Sequence, residues 1–370
     1  MDALRPGQTG CLMRGSYRAP STTGLRISTP RVTLRSAPGV RARLVGRVVF
    51  TPSARGAALV GLRLSGRNAK HDLSPLIYAH RVQLRDNVIT NNQAGICVLI
   101  NDFPGSSIPR RVVIAGNRIH DCGQVGTNQE HAIYLADARD TVIRDNLIYR
   151  NADRGIQLYP NADGTLVTGN VIDSNGEGII FGGDESKSSD NNLVKGNVIS
   201  NSRVRYNVES SWGSSVGTGN VVRNNCVWIT EEAYAGLPGG SGIQNTQAGF
   251  IAQDNIVRNP RYVGRASGDY AVRSSCPVGG RSCARAVVGT RSGNVLTGTP
   301  AGDRLEGRGG GDRISGGRGR DCLEGGPGGD TLNAAGGGRD AVRCGGGRDT
   351  AIVDRGDRLS GCERVRRDGR

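Results

Sequence analysis

The stretch Val82-Gln-Leu-Arg-Asp-Asn87-Val-Ile89 decides how the chain is read. Val82 and Leu84 alternate with Gln83 and Arg85, the period of a strand with one buried face. Asp86-Asn87 interrupts the alternation, and an apolar pair resumes it. The same phrase returns as Val112-Val-Ile-Ala-Gly-Asn117-Arg-Ile119, then more loosely as Ile143…Asn146-Leu-Ile148, Val167…Asn170-Val-Ile172 and Val194…Asn197-Val-Ile199. Looser copies end at Asn220-Val-Val222 and Asn255-Ile-Val257, and an earlier one, Leu59…Leu62-Arg-Leu64, has leucine where the asparagine stands. Successive asparagines are 30, 29, 24, 27, 23 and 35 residues apart. Asparagine bounded by Gly or Asp is expected at a bend, in left-handed backbone, with its side-chain amide bonded along a ladder between coils. Half a repeat later a second strand opens at Gly95-Ile96, Ala132-Ile133, Gly155-Ile156, Gly178-Ile179 and Gly242-Ile243. Two or three short strands per repeat of variable length, without helical period, describe a parallel β-solenoid.

These residues resemble the right-handed parallel β-helix family over roughly residues 10–263. The opening Leu4-Arg-Pro-Gly7…Leu12-Met-Arg-Gly15-Ser-Tyr17 resembles the first coil after an N-terminal cap, so a cap missing or cut short is expected. The predicted fold class is all-β: a right-handed parallel β-helix over 1–263, a disulfide-bearing linker over 264–288, and a parallel β-roll with its tail over 289–370.

The roll is read from nonapeptides. Gly316-Gly-Arg-Gly-Arg-Asp321-Cys-Leu323-Glu and Gly325-Gly-Pro-Gly-Gly-Asp330-Thr-Leu332-Asn repeat one pattern in full. Asp303, Asp312, Asp321 and Asp330 keep a spacing of nine; Asp340 follows after ten, Asp349 after nine more, and Asn294 holds the place in a preceding copy. Leu296, Leu305, Ile314, Leu323, Leu332 and Val342 hold the apolar place, which fades to Ala351. This resembles the calcium-binding β-roll repeat of RTX proteins. The chemistry is coherent: glycines turn backbone carbonyls toward a hard cation and each aspartate adds a charged oxygen. The seven residues Asn294, Asp303, Asp312, Asp321, Asp330, Asp340 and Asp349 are the expected calcium ligands. Arg304, Arg313, Arg320, Arg339 and Arg348 flank them, which predicts millimolar rather than micromolar affinity.

On the solenoid, positions two before the second strand's isoleucine are expected on the outer wall. They read His131, Arg154 and Glu177, joined by Tyr134 and Tyr159. The insertion from His120 to His131, and a second from Glu231 to Gly240, are expected to flank that wall. Arginine could neutralise a sugar carboxylate while His131 or Tyr134 takes the neighbouring proton; the alternative is a solvated charge ladder that keeps coils in register. The two-part layout resembles mannuronan C-5 epimerases and, more loosely, β-helical polysaccharide lyases. Their Asp-Pro-His segment is absent, the nearest text being Gln129-Glu130-His131.

Composition narrows the rest. The net charge is +15, with 48 basic against 33 acidic side chains, but residues 1–60 alone hold ten arginines against one aspartate. Aromatic residues make up 4%, too few for base-stacking platforms, so nucleic acid is not an expected partner. No apolar run reaches the roughly 18 residues of a membrane-spanning helix. Nine cysteines suit an oxidising compartment; Cys276 with Cys283 and Cys344 with Cys362 look like local disulfides. No signal peptide is visible after Met1, and a truncated N-terminus is expected to explain that. The expected protein is a monomer, extracellular or at the cell surface, engaging acidic polysaccharide with calcium in its roll. It is either a lyase or epimerase, or a non-catalytic adhesion module.

Overall fold

The computed structural model describes residues 4–66, 74–127, 129–212, 215–230, 240–245, 247–272, 276, 285–299, 302–317, 319–336 and 340–367. It divides into two compact units, Met1–Pro260 with Cys276–Gly279, and Arg261–Ser275 with Gly280–Arg370. Among the described residues there is no α-helix, and no helix is long and apolar enough to cross a membrane.

The first unit is a right-handed parallel β-helix of three sheets with 10, 10 and 9 strands, each strand pairing with its counterparts one coil away. In one coil, Gln83–Arg85 lies in the first sheet, Val88–Thr90 in the second and Val98–Ile100 in the third. Register brings Leu84 onto Ile114 and Ile89 onto Ile119, so each inward side chain packs on its own copy. The core is one continuous column from Ile27 to Phe250. The third strand opens with Gly-Ile because coils approach closely there: a Cβ on Gly178 would lie 2.1 Å from Asn207 O.

The repeat's asparagine fills the bend between the first and second sheets, but its role differs from the expected one. The left-handed residue is its predecessor: Asp86 at φ 57°, Gly116 at 66°, Asp145 at 55° and Gly169 at 68°. The asparagine itself is buried and forms the ladder. Nδ2 of Asn87 donates to Asn117 Oδ1 at 3.0 Å, and the links Asn117–Asn146, Asn146–Asn170, Asn170–Asn197, Asn197–Asn225 and Asn225–Asn255 follow at 2.9 Å. The next rung after Asn197 is therefore Asn225, not Asn220. The irregular spacings of 23 and 35 become 28 and 30. Asn220 belongs to a separate ladder at the entry to the first sheet, accepting from Asn192 Nδ2 at 2.9 Å. A third ladder, Asn151 to Asn175 at 2.7 Å, closes the bend after the second sheet.

The second unit contains two five-stranded parallel sheets, which alternate along the chain. Arg313–Ser315 lies in one and Cys322–Pro327 in the other, so two nonapeptides make one coil. Leu296, Leu305, Ile314, Leu323, Leu332, Val342 and Ala351 form its core, as the apolar places predict. This is the expected β-roll.

Cys344 pairs with Cys362 as expected. Cys276 pairs with Cys226 and not with Cys283: it lies beside the strand Cys226–Trp228, with both sulfurs near the Arg258 carbonyl. Cys97–Cys122, between adjacent coils, was not anticipated.

Replacing Asn170 by leucine tests the ladder. Asn146 donates to Asn170 Oδ1 from both its backbone N–H (3.0 Å) and Nδ2 (2.9 Å), and Asn170 Nδ2 donates to Ile143 O and Asn197 Oδ1. Each buried group left without a partner costs about 1–3 kcal/mol, so Asn170→Leu is expected to lower unfolding free energy by about 3 kcal/mol or more in urea. A loss under about 1 kcal/mol would contradict the ladder's role.

Candidate functional site

The third sheet widens at three successive coils. Its strands there are Ile133–Arg139, Arg154–Asp163 and Glu177–Gly182, of 7, 10 and 6 residues. Pairing across this stretch stacks Leu99, Tyr134, Gln157 and Ile180. Tyr134 and Tyr159 are half-buried on this wall.

The other three predicted residues do come together, but under the surface. His131, Arg154 and Glu177 are each 1% exposed, so they neither face solvent nor form a solvated ladder. Alternation shows which side of a strand a residue takes; it cannot show that a rim position is covered. Nδ1 of His131 lies 2.9 Å from Asp153 Oδ2. Asp153 contacts Arg154 Nη1 at 3.3 Å, Arg154 Nε meets Glu177 Oε2 at 3.1 Å, and Glu177 Oε1 meets Arg205 Nε at 3.4 Å. Arg205 continues to Glu209. Arg154 Nη1 also donates to Gln157 Oε1 at 3.2 Å, tying the network to the wall. Tyr134 sits edge-on to His131, with ring centroids 5.3 Å apart.

Burial sets the protonation. It depresses the His131 imidazole below its ordinary value, and Asp153 only partly restores it. It pushes Tyr134 up to about 12 and Glu177 up to about 7, against the opposing pull of Arg154 and Arg205 and with Glu209 and Asp153 adding to the rise. Near neutral pH the imidazole is neutral, the phenol keeps its proton, and Glu177 is poised to gain or lose one.

At the wall's other edge, Asp137 Oδ1 accepts from Lys187 Nζ at 3.0 Å and from Asn161 Nδ2 at 2.5 Å, while Arg139 pairs with Asp163 at 3.2 Å. The first insertion springs from the Cys97–Cys122 disulfide, and Gln124 N–H donates to Glu130 Oε2 at 2.8 Å. Most of the second, residues 231–239, lies outside the described residues. Sequence reading did not single out Asp153, Asp137 or Glu209. The only signal was that Asp153 directly precedes Arg154.

The roll's aspartates form two rows. One oxygen of each accepts the backbone N–H of the aspartate one coil earlier, all at 2.7 Å: Asp321 from Asp303, Asp330 from Asp312, Asp340 from Asp321 and Asp349 from Asp330. Asp312 accepts from Asn294 in the same way. Asp357 and Glu363 extend the rows beyond the expected set, accepting from Asp340 at 2.9 Å and Asp349 at 2.8 Å. The second oxygens of Asp312, Asp321, Asp330, Asp340 and Asp349 are buried without a hydrogen-bond partner. They point into glycine cradles: a Cβ on Gly307 would lie 2.1 Å from Asp312 Oδ2 and 2.5 Å from Gly325 O, and one on Gly325 2.4 Å from both Asp330 Oδ2 and Cys344 O. Orphaned carboxylate oxygens beside carbonyls are the donors of a hard cation. Burial and neighbouring carboxylates push Asp321 up to about 8 and Asp340 up to about 7 in the cation's absence. Among the described residues, no three carboxylate, imidazole or thiol groups converge, so a cation here would draw on carbonyls as well. Asp303 departs from the set, since Thr299 Oγ1 donates to its Oδ2 at 2.7 Å.

Residues 297–332 match the RTX calcium-binding nonapeptide repeat. Residues 74–224 match the family described as periplasmic copper-binding protein (NosD). No curated protein sequence matches the chain. Among solved structures, the A-module of a mannuronan C-5 epimerase from Azotobacter vinelandii is 15% identical, with a TM-score of 0.49 over 98% of this chain and 91% of its own. A pectate lyase is 12% identical, with a TM-score of 0.48 over 72% and 77%. The Dettilon tailspike protein is 13% identical, with a TM-score of 0.41 over 97%, and the chain spans 60% of its length. Likeness at this level says nothing about substrate or reaction.

Glu177 gives a pH test. Its folded value of about 7 stands above the ordinary 4.5, so the folded chain holds this proton more tightly than the unfolded one. Its contribution to stability therefore falls as pH rises from 4.5 to about 7 and stays level beyond. Urea unfolding of the β-helix at about pH 5 and about pH 7.5 is expected to show a smaller pH-dependent loss in Glu177→Gln than in the wild type. An equal loss in both would sink the assignment.

Proposed function

We propose that the chain is an extracellular or cell-surface protein that holds an acidic polysaccharide along the third sheet, with calcium ordering its C-terminal roll. The observation that carries the glycan reading is the widening of that sheet over Ile133–Arg139, Arg154–Asp163 and Glu177–Gly182, where Tyr134, Tyr159, Arg139 and Lys187 meet a wall stiffened by the His131–Asp153–Arg154–Glu177 network. Tyrosine faces suit sugar rings, and the cationic side chains suit carboxylates. Three disulfides among the described residues fit an oxidising compartment. In this reading His131, Arg154 and Glu177 are positioning residues, because burial keeps them from touching sugar.

A second reading, a lyase or C-5 epimerase, is favoured by one observation. A neutral imidazole lies edge-on to Tyr134, and Asp153 and Arg154 link it to Glu177, whose carboxyl titrates near pH 7, a set able to move a proton if the wall opens.

Titration with alginate, pectate and glycosaminoglycan oligomers separates the two. Binding weakened about tenfold by Tyr134→Ala and Tyr159→Ala, with no unsaturated or epimerised product, is the expected result. Product formation that His131→Ala and Arg154→Ala abolish would replace it with the enzyme.

For the roll, the proposed ligands are Asn294, Asp303, Asp312, Asp321, Asp330, Asp340 and Asp349. Calorimetry is expected to show calcium uptake with a dissociation constant on the order of 1 mM, weakened by the flanking arginines, and uptake reduced by Asp330→Ala. No heat up to about 10 mM calcium would refute it.

A further inference from the structure

The bend joining the third sheet back to the first is a ridge of two adjacent columns. Backbone hydrogen bonds set the register: Arg31 N–H donates to Arg55 O, Gly56 to His80 O, Arg81 to Arg110 O, Arg111 to Arg139 O, and Asp140 to Asp163 O. One column thus reads Arg55, His80, Arg110, Arg139, Asp163; the other reads Arg31, Gly56, Arg81, Arg111, Asp140. Over the earlier coils the ridge is basic, and it turns acidic at Asp140 and Asp163. Arg139 is paired with Asp163. No ion pair holds Arg55, Arg81, Arg110 or Arg111 among the described residues.

A cavity of about 280 Å³ lies between the columns, lined by Arg55, His80, Arg81, Arg110, Arg111 and Asp140. Asp140 is its one acidic wall residue. His80 is held neutral: burial and then Arg55, Arg110 and Arg81 depress its imidazole. Its Nδ1 accepts from Arg110 N–H at 3.1 Å, which leaves Nε2 to donate to Ser107 Oγ at 2.9 Å. Four guanidinium groups therefore face one carboxylate.

A second observation is independent of charge. Arg81 and Arg111 have φ of 58° and 56°, a left-handed conformation that disfavours arginine and suits Gly, Asn or Asp. Later coils obey that preference at the same place, with Asp140, Gly164, Asn191 and Gly219. Arg31 takes the same conformation at φ 54° away from the cavity and Gly56 stands in the coil between; at Arg81 and Arg111 the strain comes together with mutual repulsion of guanidinium groups around one cavity. Such a cost at a surface points to function.

We propose that this cavity is an oxyanion site for a tetrahedral sulfate or phosphate group. Its planar, multiply donating guanidinium groups match such an anion's oxygens. The site is distinct from the third-sheet wall and stands whether or not that wall binds glycan.

The test is calorimetry on the full chain without calcium, at constant ionic strength, with inorganic sulfate as the probe. The comparison variant is Arg81→Asn with Arg111→Asn, which supplies the residue type that Asn191 uses at the equivalent bend. The wild type is expected to bind sulfate and to gain thermal stability from it. The variant is expected to bind at least about tenfold more weakly, while its melting temperature without sulfate is equal or higher. Equal sulfate affinity in both proteins, or no wild-type binding beyond that of chloride at matched ionic strength, would overturn the site. A sulfated oligosaccharide binding more tightly than free sulfate, with the same loss in the variant, supports the site and assigns the group to a glycan. An oligonucleotide behaving so supports it as a polymer-borne phosphate site. If neither exceeds the free ion, the site stands as one for inorganic anion.

Discussion

From Leu62 onward in the β-helix, and along the roll, each coil buries a backbone N–H at a bend where no sheet partner is available, and a side-chain oxygen from the next coil accepts it. In the β-helix the oxygen is an amide: Asn117 N–H donates to Asn146 Oδ1 at 2.9 Å, and Asn170 N–H to Asn197 Oδ1 at 2.9 Å. In the roll it is a carboxylate: Asp303 N–H donates to Asp321 Oδ1 at 2.7 Å. An unpaired buried N–H is costly, so this bond fixes one residue per coil in two differently built solenoids. It also sets the phase in which apolar side chains stack on their own copies.

The choice of amide or carboxylate has a large consequence. Asparagine carries its own second donor, so each amide also bonds to the next and the ladder closes from Asn87 to Asn255 with no outside help. Aspartate has no donor to pass on. Its second oxygen is left buried, in a cradle that only glycine can border, and neighbouring carboxylates repel it further. The amide-laddered unit is complete as protein alone, whereas the carboxylate rows call for positive charge. The glycines concentrated beside the roll's aspartates serve that same demand.

Much of this was legible from residue types and spacing. The coil repeat, the inward apolar positions and the nine-residue aspartate register follow from periodicity, which a solenoid writes directly into its sequence. The errors arose where two features share one local signature. Asn220-Val-Val222 and Asn225-Cys-Val227 both read as bend and strand; only coil-to-coil register separates the rungs of two ladders. Asparagine as a residue type permits left-handed backbone, yet its predecessor takes that conformation. Asp357 and Glu363 escaped because they follow Asp340 and Asp349 by 17 and 14 residues, outside the repeat's spacing. The burial of His131, Arg154 and Glu177 depends on what covers the sheet's rim, and no strand period encodes that.

Hydrogen exchange with and without calcium tests the ladder account most directly, read at the bend amides of each unit. With a chelator present, the amides of Asn117, Asn146 and Asn170 are predicted to keep the protection they show with calcium. Those of Asp312, Asp321 and Asp330 are predicted to lose it and to regain it when calcium is restored. Equal protection of both sets in chelator would contradict the claim that the carboxylate rows, unlike the amide ladder, need a cation to close.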